Sequence, residues 1–163
     1  MRLSARHASV ISLCGRCGFT CILRFMSTAG DVVSQGYQAR KEGRLSEARE
    51  YYTIAAKIYH QKNDVLAYAH TIRHVADIFQ QECNPSLAKP LYEEALEIYR
   101  SNLQTKLLDL ANAIRPYALL IEERGDSTLA MKLWEEARNL YASLRISEGV
   151  SECNNHIPKL KRT

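Results

Sequence analysis

His70, His74 and Asp77 stand at i, i+4 and i+7 of one segment, a spacing that puts two imidazoles and a carboxylate on a single helix face. Nitrogen and oxygen donors in that arrangement could ligate a transition metal. A closed site needs a further ligand from a facing element, and the sequence supplies none. The three therefore read as the solvated side of a helix whose opposite side carries Ile72, Val75 and Phe79. Cys14 and Cys17, with Cys21, make half of a zinc pattern that no second pair or nearby histidine completes. The paired acids Glu93-Glu94, Glu122-Glu123 and Glu135-Glu136 are sequence neighbours, which point apart on a helix and read as solubilising charge. The sequence has no phosphate-cradling glycine loop, no His-Glu-x-x-His and no nucleophile elbow. No catalytic residue, metal or cofactor is expected.

One polar pattern remains. Arg73 and Arg115 are separated by the same interval as His70 and Asn112. Successive elements thus present an arginine at the same height beside an imidazole or an amide. A guanidinium so placed suits a partner's carboxylate, phosphate or backbone carbonyl. It could equally pair with acids of a neighbouring element. The residues singled out on this face are His70, Arg73, His74, Asp77, Asn112 and Arg115.

The elements that hold these residues repeat. Ala48-x-x-x-Tyr52-x-x-Ala55, Ala88-x-x-x-Tyr92-x-x-Ala95 and Ala130-x-x-x-Trp134-x-x-Ala137 recur at a nearly constant interval, from Ala48 to Ala88 and from Ala88 to Ala130. Each follows a turn signal: Gly43, Asn84-Pro85 and Gly125-Asp126. Between them, Leu66, Ala69, Ile72, Val75, Ala76 and Phe79 match Leu108, Ala111, Ile114, Tyr117, Ala118 and Ile121 at one fixed offset, a single apolar helix face written twice. A self-similarity of this length means stacked helical hairpins, all-α. Seven helices are predicted, near 31–42, 45–61, 65–82, 85–102, 105–124, 127–144 and 148–161. The last carries Val150, Cys153, Ile157 and Leu160 as a stripe that caps the array. Asn84 is read as an N-cap with Pro85 at the first helical position. Pro90 and Pro116 fall inside predicted helices and should each remove one backbone bond and bend the axis.

The chain has 163 residues, 46% hydrophobic and 25% charged, which suits one soluble domain with a real core. Its net charge of +4 comes wholly from residues 1–30, which hold Arg2, Arg6, Arg16 and Arg24 and no acid. From Asp31 onward, 18 basic side chains balance 18 acidic ones, which argues against nucleic-acid binding. Five scattered cysteines point to a reducing compartment rather than secretion. Residues 1–25 have the Arg-, Ser- and Cys-rich, acid-free composition of a mitochondrial transit peptide; equally, Met26-Ser-Thr-Ala-Gly-Asp reads as a start, with upstream residues outside the native protein. Cytoplasmic and mitochondrial placement both stay open. The stretch from Val10 to Leu23 is too short and polar to span a membrane. Residues 1–30 are set aside as a leader, and 31–161 as the helical repeat domain.

Gly43-Arg-Leu-Ser-Glu-Ala48 with Tyr52 and Ala55, and Gly125-Asp-Ser-Thr-Leu-Ala130 with Trp134 and Ala137, resemble the tetratricopeptide repeat (TPR). The periods exceed the usual length of about 34, and Ala88-Lys-Pro-Leu-Tyr-Glu-Glu-Ala-Leu-Glu-Ile-Tyr99 is similar to the longer repeats of kinesin light chain and nephrocystin type. Gly36 takes the family's small position in the first helix, within a weak apolar face, and Asn84-Pro85 replaces the turn glycine of the middle repeat. The resemblance implies a right-handed stack of about three hairpins whose first helices line a concave groove for proteins or peptides, which would make His70, Arg73, His74, Asp77, Asn112 and Arg115 the candidate peptide-binding residues. Positions matching the family's two-carboxylate clamp are Val33, Tyr37, His74, Asn112 and Pro116, so that clamp is absent. The expected function is a non-catalytic interaction module or adaptor; the alternative is a regulatory or sensor module for a small ligand or short signalling peptide. The pattern sets no oligomeric state.

Overall fold

A computed structural model describes residues 28–160. Among them are seven helices and no strand: α1 (Ala29–Lys41), α2 (Leu45–Gln61), α3 (Val65–Gln81), α4 (Pro85–Ser101), α5 (Leu107–Glu123), α6 (Ser127–Ser143) and α7 (Ser147–Leu160). Helices α2 to α6 are each 17 residues long. Three-residue turns join the helices, except for residues 102–106 between α4 and α5. Two helices and two such turns make the first period, and the longer loop stretches the next one slightly. The predicted boundaries hold to within two residues.

The turns share one backbone solution. Arg44 N–H donates to the carbonyl of Ala39, Asp64 to Tyr59, Asn84 to Phe79, Asp126 to Ile121 and Ile146 to Tyr141, at 2.8–3.2 Å. These are the six-to-one bonds that close a helix when the residue just past its end turns left-handed. Gly43 and Gly125 take that position at φ +78° and +84°, but Asn63, Cys83 and Arg145 take it too, at φ 55–59°. Glycine was therefore an incomplete guide to these turns. Thr28, Asp64 and Asp126 cap their helices by accepting from the N–H groups of Asp31, Ala67 and Leu129. Asn84 does not: Pro85 occupies the first helical position as expected, but the Asn84 side chain makes no cap bond.

Packing follows the repeat. Each helix lies against its chain neighbours, and α3 also touches α5. Tyr52, Tyr92 and Trp134 are buried to 1% exposure or less, with the flanking alanines at 0%. A side chain of that size withdrawn from water contributes about 1.5–3 kcal/mol. Each ring is matched by a small residue at one fixed offset earlier in the chain: Gly36, Ala76 and Ala118. At Gly36 an added Cβ would come within 3.1 Å of the Tyr52 ring. In the cap, Cys153 and Ile157 are buried, and Gly149 yields its place to Tyr141, whose ring would lie 2.5 Å from a Cβ there. Pro90 and Pro116 sit inside α4 and α5, which run unbroken past them.

Candidate functional site

The first helices α1, α3 and α5 border a groove of about 650 Å³, whose lining includes Arg40, Arg73, Asp77, Asn112, Arg115 and Leu119. Helix α3 supplies its centre. Asp77 is only 8% exposed, a location that requires both carboxylate oxygens to be matched. Tyr92 Oη donates to its Oδ1 at 2.8 Å, while Arg73 and Arg40 donate to Oδ2 at 2.8 and 3.1 Å. Burial by itself raises the pKa of this carboxyl; the neighbouring imidazole of His74 and the two guanidinium charges outweigh that and hold it well below the usual range.

His74 completes the cluster. Guanidinium groups, which can only donate, face both ring nitrogens, Arg73 Nη2 at 2.9 Å from Nε2 and Arg40 Nη1 at 3.4 Å from Nδ1, and the shorter contact makes Nε2 the acceptor. The ring proton then sits on Nδ1, which faces Asp77 Oδ2 at 3.6 Å. His70 Nε2, 3.2 Å from His74 Nε2, is by the same logic the donor of that contact. Burial, with Arg73 adding to it, lowers the His74 pKa to about 4 despite the favourable Asp77 charge, and burial also lowers that of His70. Two guanidinium groups thus occupy the place a metal cation would need. Among the described residues no group of three or more ligand side chains could hold a metal.

The structure brings His70, Arg73, His74 and Asp77 into one network, with Asn112 and Arg115 farther along the same groove. It does not leave them all on a solvated face. The Arg73 side chain is 13% exposed and committed to Asp77, because α1 and α4 close over this part of α3. Arg115 differs: its 2.9 Å ion pair with Glu152 of α7 is 45% and 41% exposed. Asn112 accepts from Tyr141 Oη at 2.9 Å. Sequence reasoning missed Arg40 and Tyr92. Arg40 stands at the repeat position of Gln80 and Glu122, and that alignment could have found it.

Several comparisons bear on this arrangement. A family model described as soluble NSF attachment protein, SNAP, matches residues 22–149. Among solved structures, BtubC (BKLC) from P. vanneervenii superposes with a TM-score of 0.61 at 18% identity, over 82% of this chain and 63% of that one. The chain therefore spans less than two thirds of the BtubC length. A Podosopora anserina protein with nearly identical TPR-like repeats of kinesin light chain type gives a TM-score of 0.64 at 16% identity, over 83% and 72% of the two chains. Identities this low establish the fold, a TPR-like helical stack. Comparison with curated proteins gives no match.

Proposed function

The chain belongs to the soluble NSF attachment protein (SNAP) family, and on that premise we propose that it is a non-catalytic adaptor binding a partner protein in the groove of its first helices. The observation that carries this reading is the unequal commitment of the groove arginines. Arg40 and Arg73 are locked on the buried Asp77. The exposed Arg115–Glu152 pair is worth about 0–1 kcal/mol, so Arg115 can exchange Glu152 for an acid or carbonyl of a partner at small cost. Asn112 and Pro116 flank it, offering an amide and an apolar surface.

The family description names attachment to NSF, which makes NSF the first partner to test. Immobilised full-length protein should retain NSF, or another discrete protein from native extract, in stoichiometric amount. Absence of any stoichiometric protein, together with melting that shifts only on adding a small ligand, would favour the sensor alternative. The site of action follows from the leader: a transit peptide places the adaptor in mitochondria, a start at Met26 in the cytoplasm. No helix among the described residues is long and apolar enough to cross a membrane.

A further inference from the structure

A second cleft lies away from the groove, between the second helices α2 and α4, with α3 as its floor. It encloses about 440 Å³, within the roughly 300–1,000 Å³ range of small-ligand pockets, and is walled by Tyr68, Ile72, Val75, Phe79 and Leu91. Lys57 is its one full-time charge, and His60 stands a helical turn away on the same rim. Lys57 makes no ion pair among the described residues.

The next repeat lines the equivalent cleft, of about 820 Å³, with different chemistry. Between α4 and α6, Leu96 stands where the first cleft has Ala56, and Tyr117 stands where it has Val75. Tyr117 Oη donates to Glu93 at 2.8 Å, and Arg100 pairs with Glu136 across the opening at 2.7 Å. The equivalent of Glu93 is Thr53, and that of Arg100 is His60. Glu97 becomes Lys57, a reversal of sign. The first cleft thus has smaller side chains at the Leu96 and Tyr117 positions, no counterpart of the Tyr117–Glu93 and Arg100–Glu136 ties, and a cation with no lining acid. Tyr68, whose hydroxyl donates to Glu94 at 2.8 Å, fixes one wall.

We propose that this cleft binds a small amphipathic anion, an apolar chain or ring carrying one carboxylate. The apolar part lies on Ile72, Val75, Phe79 and Leu91, and the carboxylate meets Lys57 at the rim. This site is separate from the adaptor groove and independent of its partner.

Decanoate titrated into the full-length protein, followed by methyl NMR of Ile72, Val75 and Leu91, provides the test. Saturable shifts at these methyls are expected, with Lys57→Glu weakening binding about tenfold, equivalent to about 1.4 kcal/mol. Decanol and decyltrimethylammonium should bind at least about tenfold more weakly for want of the charge pair. Ala56→Leu, which enlarges a lining side chain, should weaken binding while Arg115→Glu leaves it unchanged. If Ala56→Leu fails to fold, the rim variant Lys57→Glu still decides. No saturable shift, shifts centred elsewhere, or equal binding of decanol overturns the proposal. So do contacts from Ile22, Leu23 or Phe25 to Val75 in the free protein, or shifts that depend on protein concentration. Those last two outcomes would identify the occupant as the chain's own amino terminus or a second copy.

Discussion

The imidazole of His156 lies flat on the indole of Trp134, ring centroids 4.2 Å apart and planes 14° from parallel. His74 lies on Tyr52 in the same way, at 4.9 Å and 13°. In both pairs the histidine follows the ring at the same offset and comes from the next helix. Pro116 is the repeat equivalent of His74 in the middle of the array. The stack is thus joined hairpin to hairpin, at its first and last junctions, by an imidazole laid on a large ring. Glu122 binds both members of the last pair, accepting from Trp134 Nε1 at 2.7 Å and lying 2.8 Å from His156 Nδ1. Replacing His156 with Ala removes the stack but leaves Glu122 its indole donor, so a loss of about 0.5–1.5 kcal/mol is expected in denaturant melts. An unchanged midpoint would show that the cap is held by Cys153 and Ile157 alone.

Ala95 is fully buried between neighbouring helices. Ala95→Leu overpacks that contact and should cost about 1–3 kcal/mol, read as a lower melting temperature. An unchanged melt would contradict the close approach of the helices there.

The two groove arginines should separate on charge reversal. Arg73→Glu sets a second carboxylate against the buried Asp77 and removes one of its two cations, so a loss of about 3–5 kcal/mol is expected. Arg115→Glu disturbs an exposed pair and should shift stability by only about 0.5 kcal/mol. Circular dichroism melts of the two variants check this, and equal stability would contradict the burial of Asp77.

Acid should weaken the protein in two steps. His74 is lowered to about 4 in the folded state against 6.5 unperturbed, so the unfolded chain binds more protons between these values and stability falls as pH drops through that window. His70 is lowered as well and adds in the same direction. Asp77, lowered from 3.8 to about 2, holds its contribution above pH 4 and loses it below. Stability measured from pH 7 to 4 should decline, and His74→Gln should flatten the slope. An identical slope in the variant would remove His74 from the cause.

Mass spectrometry of the endogenous amino terminus separates the two readings of the leader. A terminus between residues 20 and 30 after import supports a transit peptide, and an acetylated Ser27 supports a start at Met26. An intact Met1 contradicts both.

Much of the fold was legible because each helix and turn repeats nearly the same length, and the rings and alanines mark one face of every second helix. The turns at Asn63 and Arg145 were less plain, since their left-handed residues are not glycine. The site was legible in part. Helical spacing put His70, His74 and Asp77 together, but spacing along one helix cannot reveal what covers it. Arg40 comes from α1 and Tyr92 from α4, and they turn an apparently solvated aspartate into a buried, fully bonded one.

The adaptor reading is tested most directly by the affinity of the captured partner for full-length protein carrying Arg115→Glu, measured beside the native chain at matched salt. A fully folded variant whose binding falls at least about tenfold, equivalent to about 1.4 kcal/mol or more, is the predicted result. A folded variant that binds with native affinity would show that the partner does not use this groove.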